Sequence, residues 1–136
     1  MIIRLAHVCI SARDLHASEH FYTQVLRLKK AFEFRNDAGV FGFYLEVGAG
    51  NYIEVFQREQ VDEPGHSPIQ HICLEVADVD AVAERLEAHG VETTAKKLGA
   101  DNSWQIWCTD PAGVRIEFHQ YTDESSQVTG ADCVMQ

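Results

Sequence analysis

Three features of the chain predict an α+β fold built from two tandem βαβββ modules: a repeated motif, a near-constant spacing from its histidine to a later glutamate, and a matching succession of strand-like and helix-like runs. The motif is His7-Val-Cys-Ile-Ser-Ala-Arg-Asp14-Leu-His-Ala17 against His71-Ile-Cys-Leu-Glu-Val-Ala-Asp78-Val-Asp-Ala81, with four of eleven positions identical. At a background of roughly one match in fifteen, fewer than one identity is expected. The second match is Ile53-Glu54-Val-Phe-Gln57 against Ile116-Glu117-Phe-His-Gln120. The His-to-Glu separations are 54 − 7 = 47 and 117 − 71 = 46, so the halves differ there by one residue. No third copy suggests a solenoid.

Each element follows from local pattern. Residues 3–11 and 69–77 alternate and are rich in Ile, Val and Leu, which predicts strands. Asp14 and Asp78 stand where an N-cap accepts orphan backbone donors. The first helix carries Leu15, Tyr22, Val25 and Leu26 on one side; the second carries Val79, Val82 and Leu86 and stops at Gly90, which takes a left-handed cap at little cost. Extended runs at 30–35, 40–48 and 51–58, then at 91–98, 103–109 and 114–121, complete the modules. Gly48-Ala-Gly-Asn51 and Asp110-Pro-Ala-Gly113 are turn sequences between the last two strands of each. The domain organisation expected is therefore module one 1–58, a polar linker 59–68 holding two of the three prolines, module two 69–121 and a polar tail 122–136. The tail lacks periodicity and is expected to be mobile or to pack on a partner subunit.

Bulk composition narrows the class. With 136 residues and 46% hydrophobic content, one globular domain is expected. A net charge of -10, with no dense Lys/Arg cluster, argues against nucleic acid. No apolar run approaches the roughly 20 residues that span a bilayer, and the opening Met-Ile-Ile-Arg-Leu-Ala runs into the first strand without signal-peptide features, so a cytoplasmic protein is expected. Cys9, Cys73, Cys108 and Cys133 form no C-x-x-C pair and read as reduced thiols, with Cys9 and Cys73 as small semi-apolar fillers of their strands.

Strand facing supplies the candidate site. A period of two puts His7 with Cys9 and Ser11, and Ala6, Val8 and Ile10 on the packed face; it likewise groups Tyr52-Glu54-Phe56-Arg58, His71-Cys73-Glu75 and Arg115-Glu117-His119. An ionisable residue inside such a run costs several kcal/mol if buried alone. His7, Glu54, His71 and Glu117 at equivalent repeat positions are satisfied together by one divalent cation, with carboxylates neutralising charge and neutral imidazoles supplying nitrogen. An octahedral ion would keep two positions for water or substrate. The competing reading is four surface residues repeated through duplication; paired histidines at matching positions weigh against it. His16, His20, His66 and His89 fit solvated surfaces, whereas His119, about 6.6 Å beyond Glu117 on the same face, is a candidate second-shell or substrate-contacting group.

His7 with Asp14-Leu15 and Phe21-Tyr22-Thr-Gln-Val-Leu26, then Tyr52-Ile-Glu54, Gln70-His71-Ile and Asp110-Pro-Ala-Gly113-Val-Arg-Ile-Glu117, strongly resemble the vicinal-oxygen-chelate superfamily over residues 4–121. That superfamily includes glyoxalase I, epimerases, ring-cleaving dioxygenases and fosfomycin- and bleomycin-resistance proteins. The resemblance implies a cup-shaped, half-open barrel around a metal site, closed within one chain or between two, and a homodimer. Glu54 beside Glu117 most resembles glyoxalase I, a lactoylglutathione lyase. By that resemblance the metal, which could be nickel, zinc, cobalt, manganese or iron, holds two adjacent substrate oxygens, and a carboxylate shifts a proton between neighbouring carbons through an enediolate. Glu117 is then the expected base and Glu54 the expected permanent ligand. Where bacterial glyoxalase I enzymes hold the glutamyl end of glutathione with Arg and Asn, this chain has Ser11 and Arg58. Ser11 cannot form a bidentate carboxylate contact, although Arg58 suits an anion from the opposite wall, so another thiol, or a carbonyl substrate without thiol, fits at least as well. The alternatives are a metal-dependent epimerase of a 2-oxo or acyl compound and a non-catalytic small-molecule binding or resistance protein. An iron dioxygenase ranks lower, because two His and two Glu leave too few open positions.

Overall fold

The computed structural model describes residues 3–59, 69 and 71–134. These residues form two compact units, module one together with Asp110–Val114, and the remainder of module two with the tail.

In the first unit, β1 (His7–Ala12) leads into α1 (Leu15–His20), followed by β2 (Lys29–Asn36), β3 (Gly39–Gly48) and β4 (Asn51–Gln57). The sheet order is β1-β4-β3-β2. Only the β1–β4 pair is parallel, because the helical connection returns the chain to the same end while tight turns join the rest. Asp14 caps α1, its carboxylate accepting from Ala17 N at 2.9 Å. The helix then widens into a π-helical turn over Phe21–Val25, where Leu26 N–H bonds Phe21 O at 2.9 Å. Thr23 favours this widening by donating its hydroxyl to Glu19 O, a carbonyl the regular helix would use. Phe21, Tyr22 and Val25 are all buried, as are Ile10, Ala12, Phe43, Leu45, Ile53 and Val55 on the strands. Each such aliphatic or aromatic side chain contributes about 1.5–3 kcal/mol. Burying Ile53 and Val55 under the helix leaves Glu54, between them on β4, on the opposite face.

The second unit repeats the plan with β5 (Ile72–Glu75), α2 (Val79–Ala88), β6 (Lys97–Leu98), β7 (Trp104–Thr109) and β8 (Arg115–Gln120), in the order β5-β8-β7-β6. Asp78 caps α2 through Asp80 N and Ala81 N, and Gly90 follows it at φ +73°. Val79, Leu86, Ile106, Ile116 and Phe118 form the core.

Three expectations need correction. Residues 91–96 are not a paired strand, because Thr94 engages Trp107 twice, through its N–H to Trp107 O and through its hydroxyl to Trp107 N–H, and the side chain replaces the ladder there. The tail is not free: Ser126 N bonds Asp101 O at 2.9 Å, Thr122 Oγ1 bonds Asn102 O at 2.8 Å, and α3 (Ser126–Thr129) rests on that loop. Cys9 and Cys73 are not fillers either. Both are exposed on the polar face, as two-residue spacing from each histidine dictates. Of the linker 59–68 only Glu59 is described; His66, Gln70 and the first two residues lie outside the described residues.

Candidate metal centre

The duplication extends to register. On the first sheet Cys9 lies directly across from Glu54, with His7 two residues earlier on β1; on the second Cys73 lies across from Glu117, with His71 two residues earlier. Each His and Glu is thus a diagonal pair on adjacent parallel strands, facing the same way. Across the antiparallel neighbour, Glu54 pairs with Tyr44 and Glu117 with Trp107. Those aromatics play matching parts, since Tyr44 meets the His7 ring edge-on at 5.6 Å and Trp107 meets His71 at 4.8 Å.

On the first sheet Tyr44 Oη lies 2.9 Å from His7 Nδ1. With the proton on Nδ1, the phenol accepts and Nε2 keeps a free lone pair, the arrangement a ligating imidazole needs. Burial, reinforced by the Glu54 charge, holds the Tyr44 phenol above its ordinary value, so it stays protonated. The rest of this face is aromatic: Phe32 stacks on Tyr44 at 4.6 Å, Tyr44 on Tyr52 at 5.1 Å, and Phe34 and Phe41 surround Phe56. Ser11 is half-buried opposite Phe56, and the Arg58 guanidinium lies 5.4 Å from the Phe56 ring centre. Burial raises the Cys9 thiol, Glu54 raises it further, and Arg58 acts the other way, which brings the Arg58 charge to bear on the face that carries Glu54.

The second sheet is more crowded. Glu117, 8% exposed, has His71 Nε2 at 3.3 Å from Oε2 and His119 Nε2 at 2.9 Å from Oε1. His119 is itself buried, and its Nε2 makes no aligned hydrogen bond. Its Nδ1 faces Asp101 Oδ2 at 3.8 Å. Burial would raise Asp101, but bonds from Gln127 and Ser103 and the nearby imidazole bring it below the ordinary carboxylate value. Although Cys73 as a residue is exposed, its partly covered thiol is pushed up to about 12, first by that covering, then by the Glu117 charge and hydrogen bond and the Asp101 charge.

The residues present fit a divalent cation. Nitrogen and oxygen donors share a face in each sheet, and in the second a buried imidazole nitrogen stands beside a carboxylate without a hydrogen bond to satisfy it. Sequence reasoning singled out His7, Glu54, His71 and Glu117, and the structure places each His with its own Glu. It missed Tyr44 and Trp107, which only strand pairing identifies, and undervalued Cys73, whose repetition two residues after each histidine was the available signal.

Comparison with known proteins agrees with this architecture. Residues 4–118 match the model of the Glyoxalase/Bleomycin resistance protein/Dioxygenase superfamily. The uncharacterized protein YwbC of Bacillus subtilis is 30% identical over 129 residues, covering 88% of this chain and 99% of that protein. Among solved structures, lactoylglutathione lyase from Agrobacterium tumefaciens superposes with a TM-score of 0.66 at 22% identity, covering 86% of this chain and 92% of that one. A mutant of the fosfomycin resistance protein from Listeria monocytogenes, complexed with Mn(II) and a dihydroxypropylphosphonic acid, gives 0.72 at 21% identity, covering 90% and 95%. With its duplicated βαβββ units and a family match over most of its length, the chain belongs to the Glyoxalase/Bleomycin resistance protein/Dioxygenase superfamily.

Proposed function

We propose that this protein is a divalent-metal-dependent lyase or isomerase of glyoxalase I type, moving a proton between a carbon beside a carbonyl and its neighbour. The observation that carries the reading is the repeated placement of a His and a Glu as a diagonal pair on the polar face of each sheet. The proposed ligands are His7, Glu54, His71 and Glu117, the set expected from the sequence.

A bound cation would supply Lewis acidity at two adjacent substrate oxygens, making the neighbouring C–H more acidic. Glu117 is proposed as the base. Held among His71, His119 and Cys73, its carboxylate takes the proton from one carbon and returns it to the next, with no net redox change. Glu54 remains a ligand. The aromatic side chains around Tyr44 and Phe56 offer the first sheet's face an apolar surface for substrate, and Arg58 offers a charge to an anionic substrate group with Ser11 beside it. Because Ser11 cannot make a two-point carboxylate contact, a carbonyl compound or an adduct with a thiol other than glutathione suits these residues at least as well. A homodimer in the cytoplasm is proposed on the family likeness; among the described residues no helix is long and apolar enough to cross a membrane.

The test is turnover of methylglyoxal with and without glutathione, using protein loaded in turn with nickel, zinc, cobalt and manganese, alongside metal analysis. Metal-dependent conversion supports the reading. Less than a tenth of an equivalent of any of these ions after incubation would overturn it. Bound metal without conversion would favour an epimerase of a 2-oxo or acyl compound, assayed by exchange of the proton α to the carbonyl with solvent deuterium.

A further inference from the structure

The two oxygens of Glu117 meet different surroundings. Oε2 looks toward exposed His71, while Oε1 lies 2.9 Å from His119 Nε2, on a side chain whose residue is only 8% exposed. That nitrogen is buried, and its contact with Oε1 is not an aligned hydrogen bond, so it is left without a fitting partner unless a cation lies between them. On the same side stands Cys73, directly across from Glu117 on β5. One ligand atom from each of Cys73, Glu117 and His119 lies within 4.8 Å of the others. Donor atoms around a tetrahedral zinc ion are about 3.3–3.8 Å apart, so no pair needs to close by more than about 1.5 Å, and the His119–Glu117 pair at 2.9 Å opens slightly.

We propose that Cys73 and His119 join Glu117 as metal ligands, so that module two carries a thiolate–carboxylate–imidazole site for a thiophilic divalent ion such as zinc or cobalt. The proposal rests on Glu117 binding metal, as argued above, and has a thiophilic ion held with Cys73 and His119 in place of His7 and Glu54, since all six side chains together would leave no position for substrate. Sulfur, oxygen and nitrogen converge there: the Cys73 thiol reaches Glu117, while His119 Nε2 has no aligned hydrogen bond. A cation satisfies all three, and the thiol proton leaves to solvent as the sulfur–metal bond forms. Among the described residues module one has no equivalent. The residue two past Glu54, matching His119, is Phe56, so Cys9 and Glu54 lack the third donor. Thiolate ligation selects zinc or cobalt over manganese or magnesium.

Cobalt(II) titrated into metal-free protein tests this without reference to turnover. Wild type should develop a near-ultraviolet thiolate-to-cobalt charge-transfer band. Cys73→Ser should lose that band and Cys9→Ser should keep it, and His119→Gln should weaken zinc binding by about tenfold or more in a chelator competition. Cobalt bound by wild type without the band, or a band surviving in Cys73→Ser, would overturn the thiolate site and leave the glyoxalase-type reading standing. Failure to bind cobalt at all would overturn both. Should Cys73→Ser not fold, alkylation of the wild type decides: zinc should protect Cys73 from iodoacetamide while exposed Cys133 stays reactive, and equal labelling of Cys73 with and without zinc would refute the proposal.

Discussion

The Tyr44 hydroxyl lies 2.9 Å from His7 Nδ1, on the strand that also places Tyr44 directly across from Glu54. One aromatic residue thus bonds one proposed ligand of the first sheet and stands across the ladder from the other. Tyr44→Phe keeps the ring stack with Phe32 and Tyr52 but removes the oxygen that fixes the imidazole tautomer. The expected result is metal affinity weakened by about tenfold with an unchanged thermal midpoint, because partners of this kind orient the ligand rather than support the fold. Metal affinity equal to wild type would show that the Tyr44 contact does not set His7.

Tyr22 and Asp110, 88 residues apart, share a buried 2.7 Å hydrogen bond from the phenol to Oδ2. Asp110 Oδ1 also accepts from Ala112 N and Val114 N at 2.8 and 2.7 Å, closing the turn before β8. Tyr22→Phe should cost about 1–2 kcal/mol and Asp110→Ala about 2–4 kcal/mol, since the latter strands three donors at once. Urea denaturation measures both, and an Asp110→Ala protein within about 0.5 kcal/mol of wild type would refute this account. The pH dependence has a definite sign. Burial raises Asp110 above 3.8 despite the bonds from Tyr22 and the turn. As pH rises through the window from 3.8 to that raised value, the unfolded chain loses the proton first, so the carboxyl's contribution to stability falls and then levels off. Asp110→Asn should flatten that dependence.

Much of this was legible in the sequence because duplication writes the same physics twice. Asp14 and Asp78 announced both helix starts, Gly90 the end of α2, and alternation placed His7, Glu54, His71 and Glu117 on polar faces. What alternation cannot reveal is the neighbour across the ladder. Tyr44 and Trp107 owe their roles to pairing with Glu54 and Glu117, which a local pattern does not encode. The π-helical turn was hidden for the same reason: Tyr22, Val25 and Leu26 fit an ordinary helical stripe, and the widening, which buries Phe21 as well, comes with Thr23 competing for Glu19 O. Residues 91–96 read as a strand by composition, yet Thr94 settles their backbone by side-chain bonding.

Gly42 marks a close approach between strands. A β-carbon there would sit 2.5 Å from Phe56 Cδ1 and 2.7 Å from the Val55 carbonyl oxygen, and the second contact is backbone that cannot swing aside. Gly42→Ala should therefore push β3 away from β4 beside Glu54. About 1–3 kcal/mol of destabilisation is expected, together with altered aromatic circular dichroism as Phe34, Phe41 and Phe56 repack. A Gly42→Ala protein with wild-type midpoint and spectrum would show that the strands yield freely.

Ser125 decides whether the tail belongs to the fold. Fully buried, its Oγ accepts from Thr122 N at 2.8 Å and donates to Asn102 O at 3.0 Å, with Ser103 Oγ also at 3.0 Å. Ser125→Ala removes that shared oxygen and should cost about 1–3 kcal/mol, the range for buried polar groups left without partners. Deleting residues 122–136 should cost more, because it also uncovers fully buried Ser103 and takes Gln127 from Asp101, which it holds at 2.7 Å beside His119. The effect should be local: faster hydrogen exchange at Ser103 and through the 99–103 loop, with β3 and β4 unchanged. A truncated chain that keeps the wild-type denaturation midpoint and the same protection at Ser103 would return the tail to the status its aperiodic sequence suggested.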